Sequence, residues 1–329
     1  MVITQTPVRI SFLGGGTDYP DYFLRHGGAT LAASINQYTI VTVHPLTRFA
    51  DHELRIHYSR VEAVKTVDEI CHPSARECLR FLGIERGVEI HYVTNLPART
   101  GLGSSSSATV GLLHALHAFK NQMVSRERLA AEAVHVEQQL IKERVGCQDQ
   151  YACAFGGLRH LEFLTDGTVR VSPVILAPAR LRALNDRLLL LYTGIQRHAH
   201  DILEEQIERT AGGLNTQQLD RLKTFVGQGM EVLTGSGDLA QFGALLHESW
   251  LIKRGLSSKI SSPGIDDAYA RARQAGAIGG KLLGAGGGGF LLLYSEPEHH
   301  QSIKRALPEL RAIDFSFEDI GSQTIFYRP

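Results

Sequence analysis

The apolar positions of this chain change period several times, and those changes divide it into elements. VRISFLGGGTD begins as a strand and breaks at the glycines of residues 14–16. Short β-branched and aromatic runs follow at residues 38–44 (YTIVTVH), 54–58 and 88–93 (VEIHYV). The period then lengthens. Residues 104–120 read as a helix entered from a serine-rich start, and residues 126–143 as another, because Leu129, Ala133, Val136 and Leu140 recur at steps of four, three and four. LLLLY at residues 188–192 is a buried strand, and helical patterns cover residues 199–210, 216–234 and 238–252. A helix over residues 265–275 leads into KLLGAGGGGFLLLYS, glycines between two apolar strand-like runs, and QTIFY closes the chain. Strands and helices mixed without regular alternation predict an α+β protein. A division around Pro173 to Pro178 separates a first unit, residues 1–180, from a second, residues 181–329, without a linker-like stretch at the join.

Charge removes several classes of function. The 34 Lys and Arg balance the 34 Asp and Glu, so no broad field draws the chain to nucleic acid or to a membrane. Any anion must be held by a local site. The four cysteines (Cys71, Cys78, Cys147, Cys153) show no CxxC spacing, which argues against zinc and for reduced thiols. A start without a basic stretch before an apolar one, and no run of ~18 apolar residues, lead to the expectation of a soluble, cytoplasmic protein. Oligomeric state is left open between monomer and homo-oligomer.

Glycine is the outlier, with 33 residues in clusters at residues 14–16, 101–103 and 284–289, each beside an apolar segment. In PARTGLGSSSSATVG, residues 97–111, a Gly-Leu-Gly turn and four serines precede a helix. A helix N-terminus offers unpaired N–H groups and about half a positive charge. Glycines let a bulky anion approach that backbone, and serine hydroxyls add donors and metal ligands. This describes a phosphate cradle; it is not a Walker A loop, since no lysine follows. A serine N-cap on an ordinary helix is the bland alternative. Gly284, Gly286 and Gly289 also satisfy GxGxxG, but they run into the strand FLLLYS where a dinucleotide motif would open a helix.

Three segments together carry a resemblance. PVRISFLGGGTDYPDY (residues 7–22), the PxxxGLGSS segment from Pro97, with Ser106 in place of alanine, and GGKLLGAGGGGF (residues 279–290) are similar, in order and separation, to the three motifs of the GHMP kinase superfamily. The resemblance spans nearly the whole chain. It implies a two-domain fold, N-terminal half like ribosomal protein S5 domain 2 and C-terminal half ferredoxin-like, using ATP and Mg²⁺. It further implies nucleotide contacts from Pro97, Gly101, Leu102, Gly103, Ser104, Ser105, Ser106 and Ser107. Gly284, Gly286, Gly287 and Gly288 would form a structural loop against the active site.

Phosphoryl transfer needs a metal, an in-line nucleophile and often a base. Glu137 sits among Ala133, Val134, Leu140 and Ile141, where a carboxylate is costly unless paired. A rim glutamate bridged to a lysine or arginine is the alternative; the resemblance implies Mg²⁺ held by Glu137 and Ser105. Asp149, in VGCQDQYACAFGGL, resembles the base of galactokinase-like members, with Arg9 beside it. Thr17, Asp18 and Tyr19 resemble sugar-holding residues, and Gly15 and Gly16 replace larger side chains, implying a larger sugar with backbone N–H groups turned toward it. Thr193 and Gly194 are further candidates for the sugar pocket. The branch most resembled phosphorylates the anomeric C1 hydroxyl of D-glycero-D-manno-heptose 7-phosphate, with kinases of free heptose or L-fucose as the rival. A substrate phosphate would need a cationic socket. Lys253 and Arg254 are the first choice, with Arg144, Arg159 and Arg197 as other candidates. A non-catalytic regulator is disfavoured, because Asp149, Glu137 and the serines are all present. None of the 15 histidines is assigned a role.

Overall fold

The computed structural model describes residues 1–46, 49, 51–97, 100–195 and 199–329, with backbone only for residues 199–204. In chain order the elements are β1 (Val2–Leu13), α1 (Pro20–His26), β2 (Gly28–Pro45), β3 (Leu54–His57), β4 (Val61–Val64), α2 (Pro73–Phe81), β5 (Val88–Thr94), α3 (Ser104–Phe119) and α4 (Arg126–His135). Next come α5 (Gln148–Phe155), β6 (Leu158–Phe163), β7 (Val169–Pro173), α6 (Pro178–Asp186), β8 (Leu188–Tyr192), α7 (Ala199–Ala211), α8 (Thr216–Thr234) and α9 (Ala240–Lys253). The chain ends with α10 (Pro263–Gln274), β9 (Gly279–Leu282), β10 (Phe290–Tyr294), α11 (His300–Ala306), β11 (Arg311–Ile313) and β12 (Gln323–Tyr327). Among the described residues, no helix is long and apolar enough to cross a membrane.

Two sheets organise these elements. The larger runs β12-β1-β2-β5-β3-β4, with β6 and β7 continuing from the first part of β2. β2 reaches this far because it is 18 residues long, pairing with β6 through Gly28–Ala33 and with β5 through Thr39–Pro45. The smaller sheet, β11-β8-β10-β9, is antiparallel throughout and nearly all apolar in β8 and β10, as a strand buried on both faces requires. The division expected at residues 180/181 falls inside α6, between the two sheets. The closing strand, however, returns to the first sheet, where Val2 faces Tyr327 and Gln5 faces Gln323.

α3 lies across β1 and β2 and is buried on most of its circumference. Gly111 permits this closeness: a Cβ there would stand 2.8 Å from Thr6 Oγ1, and Thr4 Oγ1 instead donates to the Gly111 carbonyl at 2.8 Å. The helix expected over residues 126–143 is α-helical only to His135. Residues Val136–Leu140 form a π-helical turn, closed by the Ile141 N–H on the Val136 carbonyl at 2.9 Å. One extra residue per turn shifts the helical phase, a device common at functional sites. Here it turns Glu137 into the interior, 1% exposed.

The three glycine clusters meet the rest of the fold at backbone-to-backbone distance. A Cβ on Gly284 (φ +74°) would lie 2.4 Å from Gly101 Cα, and one on Gly101 would lie 2.3 Å from the Leu283 carbonyl oxygen. The Phe290 N–H donates to the Thr100 carbonyl at 3.2 Å. The second sheet's loop thus packs directly on the turn that opens α3. Gly284→Ala adds a methyl with no room and a disfavoured φ, so it should destabilise by on the order of 2 kcal/mol in urea unfolding. A midpoint equal to wild type would show that the two loops can separate freely.

Candidate active site

The site assembles where β1 ends, α3 and α5 begin, and the second sheet's glycine loop closes over them. Arg9, on β1 and 3% exposed, gives its Nε and Nη2 to the two oxygens of Asp149 at 2.7 and 2.6 Å. Its Nη1 donates to the Gly101 carbonyl at 2.8 Å, and its backbone N–H to the Leu102 carbonyl at 3.0 Å. Burial pulls the guanidinium down, but the charge and hydrogen bonds of Asp149 outweigh it and hold Arg9 above its ordinary range. Gly103 (φ +72°) caps α3 directly over this pair: a Cβ there would be 3.2 Å from Asp149 Oδ2. The first turn of α3 therefore points its unbonded N–H groups into the space beside Asp149.

The first three residues of α5 reach three parts of the site. Gln148 accepts from Ser11 Oγ at 2.7 Å, and its N–H donates to Asp18 at 3.3 Å. Asp149 meets Arg9. Gln150 donates to Glu137 Oε2 at 2.5 Å. Asp18 is 1% exposed, and burial first, then the Asp149 charge, raise its carboxyl above the usual range.

Two buried lysines complete the charge. Lys253, at the end of α9, donates to the Gly284 carbonyl at 2.6 Å; burial, then the Arg9 charge, bring it down to about 8. Lys281, on β9 and 1% exposed, donates to the Phe12 carbonyl at 2.8 Å. Burial, then Lys253 and Arg9, push it well below the lysine range. Sequence reasoning missed Lys281, Ser11, Gln148 and Gln150. The signal for Lys281 was a lysine set among apolar and glycine residues in GGKLL.

Several expectations require correction. Ser106, not Ser105, reaches Glu137, donating to Oε2 at 2.9 Å; Ser105 is exposed on the helix's first turn. Ser107 is committed to the Thr6 carbonyl at 3.0 Å. Thr17 is not turned toward a ligand: its hydroxyl donates to the carbonyls of Gly14 and Ala29 at 2.8 Å and receives the Ala29 N–H at 3.1 Å, locking the loop onto β2. The Gly16 N–H is taken by Asp18 at 3.0 Å, and a Cβ on Gly16 would face Leu219 and Gln206 of the C-terminal helices. Thr193 bonds the Gly289 carbonyl at 2.9 Å and its N–H at 3.1 Å, holding the glycine loop. Gly194 is exposed, with open space around it. Arg254 pairs with Asp266 at 3.2 Å on the surface, and Arg159 donates to the Gly156 carbonyl. Arg197 lies outside the described residues.

A cavity of about 420 Å³ opens beside Tyr19, between the loop leading to α5 and α7. Gln138, Arg144, Glu143, Ile207 and Glu208 line it. Arg144 is the one Lys or Arg in that lining among the described residues, against the carboxylates of Asp21, Glu143 and Glu208.

Glu137 fits a hard cation. Its Oε1 is buried without a hydrogen-bond partner while Oε2 takes Ser106 and Gln150, and burial raises its pKa to about 7. Oxygen donors of this kind suit Mg²⁺, which needs few protein ligands. A carboxyl with a folded pKa near 7 and an ordinary value near 4.5 takes up a proton on folding between those pH values. Stability therefore falls as pH rises through that window, and the full cost stands above pH 7. Mg²⁺ should raise the melting temperature more at pH 8 than at pH 6, and Glu137→Gln should abolish that shift while melting higher than wild type at pH 8. A Mg²⁺ shift that persists in Glu137→Gln would place the cation elsewhere.

Residues 64–157 match the sequence model described as GHMP kinases N terminal domain, and residues 230–312 match GHMP kinases C terminal; together they cover a little over half the chain. The D-glycero-alpha-D-manno-heptose 7-phosphate kinase of Campylobacter jejuni subsp. jejuni serotype O:2 is 27% identical, with 97% of each chain covered. The bifunctional fucokinase/GDP-fucose pyrophosphorylase of Arabidopsis thaliana is 27% identical over 94% of this chain and 31% of its own length. Among solved structures, a D-glycero-D-manno-heptose 1-phosphate kinase from Bacteroides thetaiotaomicron superposes with a TM-score of 0.81 at 23% identity, both chains covered in full.

Proposed function

The chain belongs to the GHMP kinases, and from that premise we propose that this sugar kinase phosphorylates the anomeric C1 hydroxyl of a heptose 7-phosphate with ATP. The observation that carries the reading is the Asp149–Arg9 pair, set under the N-terminus of α3 and next to a buried second carboxylate, Asp18. The relative from Campylobacter jejuni, named for a heptose 7-phosphate and matched end to end, supports the choice of sugar.

In this reading the backbone N–H groups of Ser104 and Ser105 hold the phosphates of ATP over Gly101 and Gly103. Mg²⁺, held by Glu137 and the Ser106 hydroxyl beside it, would neutralise phosphate charge when bound. Asp149 keeps lone pairs beyond the two that Arg9 uses, so it can still accept the proton of a sugar hydroxyl. Arg9 fixes the direction of that carboxylate and sets a positive charge against it beside Asp18. Asp18 and Tyr19 orient the sugar ring, and the cavity beside Tyr19 receives the far end of the substrate. The hydroxyl oxygen bonds to the γ-phosphorus, the bond from that phosphorus to the β-phosphate oxygen breaks, and the proton passes to Asp149.

Arg144 is the side chain proposed to meet the 7-phosphate, since it lines the cavity and Arg254 does not. The three carboxylates around it favour a second reading, in which the sugar is unphosphorylated and its hydroxyls bond those acids.

A coupled ADP-release assay with Mg·ATP and heptose 7-phosphate, free heptose, fucose, galactose and mannose separates the two. Preference for the 7-phosphate, with Arg144→Ala raising KM for it and leaving KM for free heptose unchanged, is the expected result. Faster turnover of a free sugar selects the second reading. With either sugar, Asp149→Asn should lower kcat by roughly 10²-fold or more and leave ATP binding intact. Full turnover in that variant would remove Asp149 from the mechanism.

A further inference from the structure

The face of the larger sheet turned away from α3 gathers three imidazoles around one carboxylate. Alternation along the strands produces the cluster: Val41, Val43, Leu54, Ile56, Val88 and Ile90 face the core, so His44, His57, Glu89 and His91 face outward. Register brings them together, with His44 opposite Glu89 on β2 and β5, and His57 opposite His91 on β3 and β5. The Nε2 atoms of His57, His91 and His44 lie 2.9, 3.0 and 3.8 Å from the Glu89 oxygens. The rings of His57 and His91 stack at 4.0 Å between centroids, and those of His44 and His91 at 5.6 Å.

Glu89 is the centre of the cluster, and His91 Nε2 donates to its Oε1 at 3.0 Å. His44 Nδ1 donates to the Pro45 carbonyl at 3.1 Å, which orients the ring with Nε2 toward Glu89. His57 Nε2 is buried 2.9 Å from Glu89 Oε1 without the direction of a hydrogen bond. One cation set among these side chains would take the place of the His91 proton. Ligand atoms of His44, Glu89 and His91 lie within 4.8 Å of one another, close enough to share one ion.

We propose that His44, Glu89 and His91 form a site for a divalent transition-metal ion of the Zn²⁺ or Ni²⁺ class, separate from the kinase centre. Imidazole nitrogen with one carboxylate is a donor set that such ions prefer over Mg²⁺. The Pro45 carbonyl fixes the His44 ring as an outer partner of a metal ligand does. His57 stacks behind His91 as a fourth donor within reach of the same carboxylate. Arg55, 3.9 Å from Glu89 Oε1, is the competing cation. The ion would join β2 to β5, the strand on which the short β3–β4 hairpin rests through its parallel pairing.

Calorimetric titration of the chelator-stripped full chain with Ni²⁺, and separately with Zn²⁺, in excess Mg²⁺ tests the site. One ion per chain should bind, and the His44→Ala/His91→Ala double variant should bind about tenfold or more weakly. Arg55→Ala should bind more tightly, and Cys71→Ser, which removes the exposed thiol, should bind like wild type. No stoichiometric binding by wild type, or binding unchanged in the double variant, overturns the proposal. If circular dichroism shows the double variant unfolded, Glu89→Gln takes its place: weaker Co²⁺ binding with altered visible absorption supports the site, and an unchanged Co²⁺ spectrum and affinity overturn it.

Discussion

Arg9 is the residue around which the rest of the site is fixed. Its guanidinium and backbone N–H together fasten β1 to α5 through Asp149 and to the α3-opening turn through the carbonyls of Gly101 and Leu102. A buried guanidinium is tolerable only when its donors are matched, and the planar fork matches a carboxylate and a carbonyl at once. Lysine has a single nitrogen at the end of a flexible stem and could not hold both oxygens of Asp149 in one plane. The pair therefore sets the orientation of the carboxylate as well as its charge. The glycine at position 103 follows from the same constraint, since any side chain there would press on the pair.

Around that pair the fold tolerates charges that work against its own stability. Lys253 and Lys281 are buried, each donating to a backbone carbonyl, at 2.6 and 2.8 Å; Arg9 loosens the hold of both on their protons, and Lys253 that of Lys281. Glu137 keeps an oxygen without a partner. An apolar core would be more stable than either arrangement. Local rules are broken in this way mainly where chemistry requires it, and here the breaches all border the glycine loops. In the proposed reading Arg9 and Lys253 face the phosphate charge, and Glu137 faces the cation.

Much of this was legible along the chain because its signals are local. The glycine clusters and the serine run mark close approach, and the apolar runs at residues 188–192 and 290–294 correspond to β8 and β10. The 3.6-residue period found α8 within its observed bounds. What failed depended on phase or on distant partners. Periodicity at Leu129, Ala133, Val136 and Leu140 predicts one helix, but Val136–Leu140 is a π-helical turn, and the serine that meets Glu137 is Ser106 rather than the Ser105 that the resemblance implied. Thr17 and Thr193 have the residue type of ligand contacts, yet backbone carbonyls brought from β2 and the glycine loop consume their hydroxyls. The histidines looked unremarkable because β3 and β5 pair in parallel across an intervening hairpin and helix, a register that spacing does not reveal.

The two sheets, though separable in the topology, are not mechanically independent. β12 returns to pair with β1, and Lys281 of the second sheet bonds the last turn of β1 at Phe12. Leu219, Val226 and Phe242 of α8 and α9 share one continuous core with Ile10 and Leu13 of β1. Gly101 and Gly284 touch with no side chain between them, so sliding one loop past the other would open a gap that no side chain could fill. The turn that opens α3 and the glycine loop must therefore move as a unit. The cavity beside Tyr19 is lined instead by Glu143, Arg144 and Val145 of the loop before α5 and by Ile207, Glu208 and Ala211 of α7, away from that contact. In the proposed reading, specificity for the far end of the sugar then falls to that lining, and the transfer itself to the junction of Arg9, Asp149 and the α3-opening turn.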